Sequence, residues 1–193
     1  MKKIAVIFPG IGYHTDKPLL YYSKKIAAEA GYEIVEAPYG GFPKGVKGSK
    51  KKMERAFFSA LSQAEELLKE VDFSQYEDIL FISKSVGTAV ASAYGAKYHL
   101  HTRNVYYTPV EASFQFMNQP GIAFTGTNDA WADLDAVNRG CETGGFPLYI
   151  TEGADHSLET GDVITDLKNL ETIMKITKEY IRCEMTPAST GGE

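Results

Sequence analysis

The chain has 193 residues, 44% of them hydrophobic, and a formal net charge of −5 with a sequence pI near 5.5. That length suits one globular domain with one core, expected over residues 1–185. The acidic balance excludes broad attraction to nucleic acid or to anionic lipid, which both favour basic surfaces, and leaves a small molecule as the expected partner.

The first apolar run, residues 3–8, ends at Pro9-Gly10 and is too short for a signal-peptide core or a membrane span. Cys141 and Cys183 are the only cysteines and lie far apart, so no disulfide framework and no CxxC metal or redox motif can be drawn. Reduced thiols in a cytoplasmic setting are the expectation. The run reads as a strand, as does the apolar segment 32–37. Between 38 and 52 the chain is rich in Gly and Lys. Gly40 and Gly45 have the spacing of a phosphate loop, but Val46 and Lys47 follow where Lys and Ser or Thr are required, so the motif fails and a mobile basic surface loop is expected, with a role in admitting an anionic substrate as the alternative.

From 51 to 71 the apolar residues Met53, Ala56, Phe57, Ala60, Leu61, Ala64, Leu67, Leu68 and Val71 recur at steps of three and one, which predicts a helix with one apolar stripe. Residues 78–83 form a third strand that runs into Lys84-Ser85-Val86-Gly87 with no polar loop. A helix follows to residue 100, rich in Gly87, Ala89, Ala91, Ser92, Ala93, Gly95 and Ala96, small enough to sit close to the sheet. Further strands are expected at 105–108, 122–125 and 147–151. A last helix carries Leu167, Leu170, Ile173, Met174, Thr177, Tyr180 and Ile181 on one stripe, with Asp162 as N-cap. The polar tail 186–193 is expected to be disordered. Buried strands alternating with helices predict a three-layer α/β/α domain on a mainly parallel sheet.

The passage from strand through a sharp turn to a helix at Ser85 carries chemistry. A serine in that position presents its hydroxyl from a strained backbone, and the residues two before and two after must be small, as Ser83 and Gly87 are. The helix N-terminus adds free N–H groups and a positive dipole end, which favour an anion there.

Ser83-Lys84-Ser85-Val86-Gly87 resembles the Gly-x-Ser-x-Gly nucleophile elbow of the α/β-hydrolase family, with serine in place of the first glycine. The later segments fit the same resemblance, that of a small, cap-less serine esterase of the dienelactone-hydrolase type. A strand ending in Gly126-Thr127-Asn128-Asp129 is followed by one leading to Gly153-Ala154-Asp155-His156, in the family order of serine, acid, histidine. The resemblance implies a six-stranded sheet in the order 2-1-3-4-5-6, a reduced form lacking the usual N-terminal hairpin. It implies Ser85 as nucleophile, His156 as base and Asp129 as the acid that orients the histidine. The oxyanion hole would use the backbone N–H of Val86 and that of Ile11, with Gly12 the alternative, in the turn Pro9-Gly10-Ile11-Gly12-Tyr13. Such chemistry needs no metal or organic cofactor.

His14 competes for the role of base, while His99 and His101 lie roughly 20 Å away at the far end of the helix after Ser85. Asp133, Asp135, Glu152 and Asp155 compete for the acid role. Lys84 is expected to point away from the site into a structural salt bridge, and Cys141 to be an ordinary loop or buried thiol. The short connection 110–120 leaves little room for a cap, so the site should be open, with Gly12, Tyr13, Tyr39, Phe42, Phe114 and Trp131 as candidate lining for a small acyl or aryl ester. A thioesterase, an amidase, an acyltransferase and a non-catalytic binding module remain as alternatives.

Overall fold

The computed structural model describes residues 2–42, 45–46 and 48–183. In chain order its elements are β1 (Lys3–Phe8), α1 (Pro18–Glu29), β2 (Tyr32–Glu36), α2 (Lys50–Leu68), β3 (Asp78–Lys84), α3 (Val86–Lys97), β4 (Arg103–Tyr107), β5 (Gly121–Gly126), α4 (Leu134–Gly144), β6 (Leu148–Thr151) and α5 (Val163–Arg182). The six strands form one sheet in the order β2-β1-β3-β4-β5-β6, and every neighbouring pair is parallel. The expected order is therefore the observed one. The tail 186–193 lies outside the described residues, as do Pro43, Lys44 and Lys47 of the basic loop.

Alternation along the strands assigns side chains to two faces. Ala5, Ile7, Leu80, Ile82, Val105, Tyr107, Ile122 and Phe124 meet α1 and α5 on one face. Ile4, Val6, Phe8, Ile79 and Phe81 meet α2 and α3 on the other, where Tyr106 and Ala123 continue the core against Val137 and Cys141 of α4. The central strands are buried throughout, whereas β6, at the sheet edge, is only partly covered.

Two helices are not among those expected from the sequence. The first, α1, begins with Pro18, whose fixed φ suits a first helical turn, and buries Leu19, Leu20, Ser23 and Ala27. The second, α4, is capped by Asp133, whose side chain accepts from the Ala136 N–H, and ends at Gly145 in the left-handed region. The Asp162 cap expected for α5 accepts from the Thr165 N–H. Cys141 lies on α4 rather than in a loop, and burial pushes its thiol up to about 11. Among the described residues no helix is long and apolar enough to cross a membrane.

The helix α3 is central because it carries almost no bulk. Every residue from Val86 to Gly95 is buried, and a methyl group on Gly87 would stand 2.4 Å from the Phe8 carbonyl oxygen and 2.5 Å from that of Pro9. The end of β1 thus presses backbone to backbone against the first turn of α3. At the opposite, N-terminal ends of the strands the buried Arg103 pairs with Asp78 at 3.2 Å and donates to the carbonyls of Tyr180 and Ile181, which fixes the C-terminus of α5. Gly87→Ala is expected to destabilise the protein by about 2 kcal/mol or more in urea unfolding, because neither contact partner is a side chain that can move aside. Gly40→Ala, where an added carbon meets nothing within 4 Å, should change stability by less than about 0.5 kcal/mol.

Candidate active site

The sheet ends decide which polar groups meet. Leaving β3, the chain turns at Ser85 with φ of 56° and ψ of −126°, then enters α3. A non-glycine residue in that region stores about 1–3 kcal/mol of strain, which surrounding contacts must hold in place. The Ser85 N–H donates to the Tyr107 carbonyl at 2.9 Å, and the Ser85 carbonyl accepts from the Thr88 N–H at 2.9 Å and from the Thr88 hydroxyl at 2.6 Å. Ser113 shares a further 2.6 Å hydrogen bond with Thr88. Neither Thr88 nor Ser113 was singled out from the sequence, although Thr88 follows Ser85 by three residues, where a hydroxyl can reach back to that carbonyl.

The three expected polar side chains meet. His156 Nε2 lies 2.8 Å from Ser85 Oγ, and His156 Nδ1 lies 2.7 Å and 2.9 Å from the two Asp129 carboxylate oxygens. Asp129 Oδ1 also accepts from the Trp131 N–H at 2.8 Å, and the Trp131 ring stacks on the imidazole, with centroids 5.3 Å apart and planes 19° from parallel. The loops that carry Asp129 and His156 are tied together. The Asn128 N–H donates to the Ala154 carbonyl and the Thr127 N–H to that of Thr151, while the Gly153 N–H donates to Thr127 Oγ1. A methyl on Gly126 would stand 2.1 Å from the Ala154 oxygen, so the close approach of these loops requires glycine there.

The competing groups have other partners. Asp133 caps α4, Glu152 accepts from the Thr127 hydroxyl, and Asp155 accepts from the Ser157 and Glu159 N–H groups of its own turn. His14 is exposed, and its Nδ1 accepts from the Asp16 N–H.

The loop after β1 lies against Ser85. A methyl on Gly10 would stand 3.1 Å from Ser85 Cβ and 3.2 Å from the Lys84 carbonyl oxygen. Gly10 and Tyr13 exchange backbone hydrogen bonds at 3.1 Å and 3.3 Å, which sets Ile11 and Gly12 at the tip of a tight turn. Among the described residues the N–H groups of Val86, Ile11 and Gly12 have no acceptor.

The candidate lining residues divide. Gly12, Tyr39 and Phe42 border one cavity of about 230 Å³ together with Gly10 and His14, and the Tyr39 hydroxyl ties that wall to the Pro9 carbonyl at 2.6 Å. Trp131 lies on His156. The structure does not bring Tyr13 or Phe114 to the site. Tyr13 is 5% exposed, its oxygen accepting from the Leu19 N–H at the start of α1. The Phe114 ring packs on Gly140 of α4 because that helix, not anticipated from the sequence, needs a cover.

Lys84 departs from its expected salt bridge. It is 2% exposed, and among the described residues no carboxylate lies within ion-pair distance of it. Its Nζ sits 4.8 Å from the centre of the Tyr13 ring. Burial brings the ammonium down to about 7, opposed by the more distant charges of Asp129, Asp155 and Glu159. Burial likewise lowers the His156 imidazole, against the Asp129 hydrogen bond and with the help of the Lys84 charge. Burial alone would raise Asp129, but the His156 hydrogen bond, the imidazole charge, the Trp131 N–H and Lys84 together hold its carboxyl below the ordinary value.

No protein-family model matches the chain, and no curated relative does. Solved structures do match. Est1E from Butyrivibrio proteoclasticus with bound ferulic acid superposes with a TM-score of 0.68 at 14% identity, over 93% of this chain and 88% of that one. An esterase from Pyrococcus furiosus gives 0.64 at 14% identity, over 94% and 83%. A serine hydrolase without a lid from Xanthomonas campestris gives 0.64 at 14% identity, over 93% and 80%. With the parallel sheet in the order β2-β1-β3-β4-β5-β6, this likeness establishes that the chain has the α/β-hydrolase fold.

Proposed function

We propose that the protein is a serine hydrolase that cleaves a carboxylic ester through an acyl-enzyme on Ser85. The observation that carries this reading is the continuous hydrogen-bonded series from Asp129 through both ring nitrogens of His156 to Ser85 Oγ. That series is presented from a strained turn at the N-terminus of α3. Likeness of fold to the Pyrococcus furiosus esterase and to Est1E supports the choice of ester over other acyl substrates.

In this mechanism Ser85 Oγ attacks the ester carbonyl carbon as its proton passes to His156 Nε2. The carbonyl π electrons move onto oxygen, and the resulting oxyanion is held by the N–H groups of Val86 and Ile11. Asp129 keeps the Nδ1 proton in place and stabilises the imidazolium. Collapse of the intermediate expels the alkoxide, which takes the proton from Nε2 and leaves as the alcohol. Water then attacks the acyl-enzyme with His156 as base, and the acid departs as Ser85 recovers its proton.

Ser85→Ala should lower kcat/KM for a p-nitrophenyl ester by about a thousandfold or more while leaving the thermal unfolding temperature at or above that of the wild type. Activity equal to the wild type would overturn Ser85 as nucleophile. His156 must be neutral to act, so kcat/KM rises with pH through the imidazole titration. The sequence alone places that limb near about 6.5, whereas burial and Lys84 place it lower. Lys84→Met removes a positive charge that disfavours the imidazolium, so the limb should move to higher pH, while Lys84→Arg should keep it low. A limb that stays put in Lys84→Met would show that this charge does not reach the histidine.

A further inference from the structure

A second cavity, of about 500 Å³, lies between α2 and the segment after β4. It is bordered by Met53, Phe57 and Phe58, by Val86 and Ala89, and by Val110, Ala112 and Phe116. Its floor is apolar and close-packed, with Val86, Ala89 and Val110 each less than 10% exposed. Phe57 of α2 and Phe116 of the connection stack on each other, with centroids 5.5 Å apart and planes 11° from parallel. Phe58 stands 59% exposed. The polar members Lys50, Glu54 and Gln115 are all exposed. A cavity of this size and lining is in the range that encloses a small organic ligand, about 300–1,000 Å³.

We infer that this groove is the acyl subsite and that it selects esters of uncharged, hydrophobic acids the length of hexanoate to decanoate over acetate. The inference rests on the proposed esterase reading and fixes its substrate class. The carbonyl oxygen of a bound ester points at the Val86 N–H, and Val86 itself borders the groove. The leaving oxygen must face His156 Nε2 to be protonated, and His156 with Trp131 stands on loops that contribute nothing to the groove. With the alcohol on the histidine side, the acyl chain is directed toward Val86, Ala89 and the Phe57–Phe116 pair. The cavity bordered by Gly12, Tyr39 and Phe42 is less than half as large.

The test is a series of p-nitrophenyl esters from acetyl to decanoyl. Each methylene transferred from water into the groove is worth about a three- to fourfold gain in kcat/KM, so octanoyl, with six more than acetyl, should exceed it by about 700-fold if all are buried and by about a hundredfold if four are. Ala112→Trp, an exposed residue at the mouth, should lower the octanoyl to acetyl ratio by at least tenfold, and Phe58→Asp should lower it in the same direction. A flat chain-length series in an active enzyme, or a ratio unmoved by both variants, would overturn the inference. A separate arm keeps it distinct from the esterase reading. In Ser85→Ala protein, methyl octanoate should shift the Met53 methyl resonance and methyl acetate should not. If no ester is turned over by the wild type, the esterase reading fails and this binding arm alone decides the groove. A Met53 resonance indifferent to methyl octanoate would then reject it.

Discussion

The backbone contact between the end of β1 and the first turn of α3 is the constraint on which the site depends. The Phe8 and Pro9 carbonyls lie where a side chain on Gly87 would go, and Gly10 lies against Ser85. This closeness brings the loop after β1, through Gly10, against the Ser85 side chain at the N-terminus of α3. It also holds Ser85 at a positive φ that an unsupported serine would leave. The hydrogen bonds to Tyr107 and Thr88 complete that support.

Around the hydroxyl, charge is arranged by burial rather than by surface pairing. Asp129 has a side chain only 2% exposed and remains anionic because the imidazole and the Trp131 N–H replace the water it gives up. Lys84 sits on the far side of the loop over Tyr13, where the aromatic face replaces part of its hydration. A buried ammonium without a carboxylate in contact costs stability. Its position next to Ser85 in the chain and behind the β1 loop gives that cost an electrostatic consequence, a positive potential that opposes protonation of His156.

Much of this was legible before any coordinates. The small residues at Ser83 and Gly87, and the glycine turns before Asp129 and His156, mark places where strands end and backbones must approach. Buried parallel strands also announce themselves as short β-branched runs. The helices α1 and α4 were not legible. In α1 the exposed Tyr21 and Tyr22 interrupt the apolar pattern of Leu19, Leu20, Ile26 and Ala27, and α4 is so short that its apolar face rests on little more than Val137 and Cys141. Missing α4 is also what misplaced Phe114, since nothing in the sequence indicated the surface it covers. Phe116, two residues on, borders the groove instead.

The sequence by itself determined the alternation of strands and helices and the chemical identity of the groups at each strand end, because these follow from local periodicity and from the steric demands of tight turns. Only the tertiary structure decided how those groups meet. The 2.7 Å and 2.8 Å separations around His156, the burial of Lys84 over the Tyr13 ring, and the apolar groove between α2 and the connection after β4 all arise from segments distant in the chain. Their mutual placement depends on sheet order and on the packing of helices that local sequence does not encode.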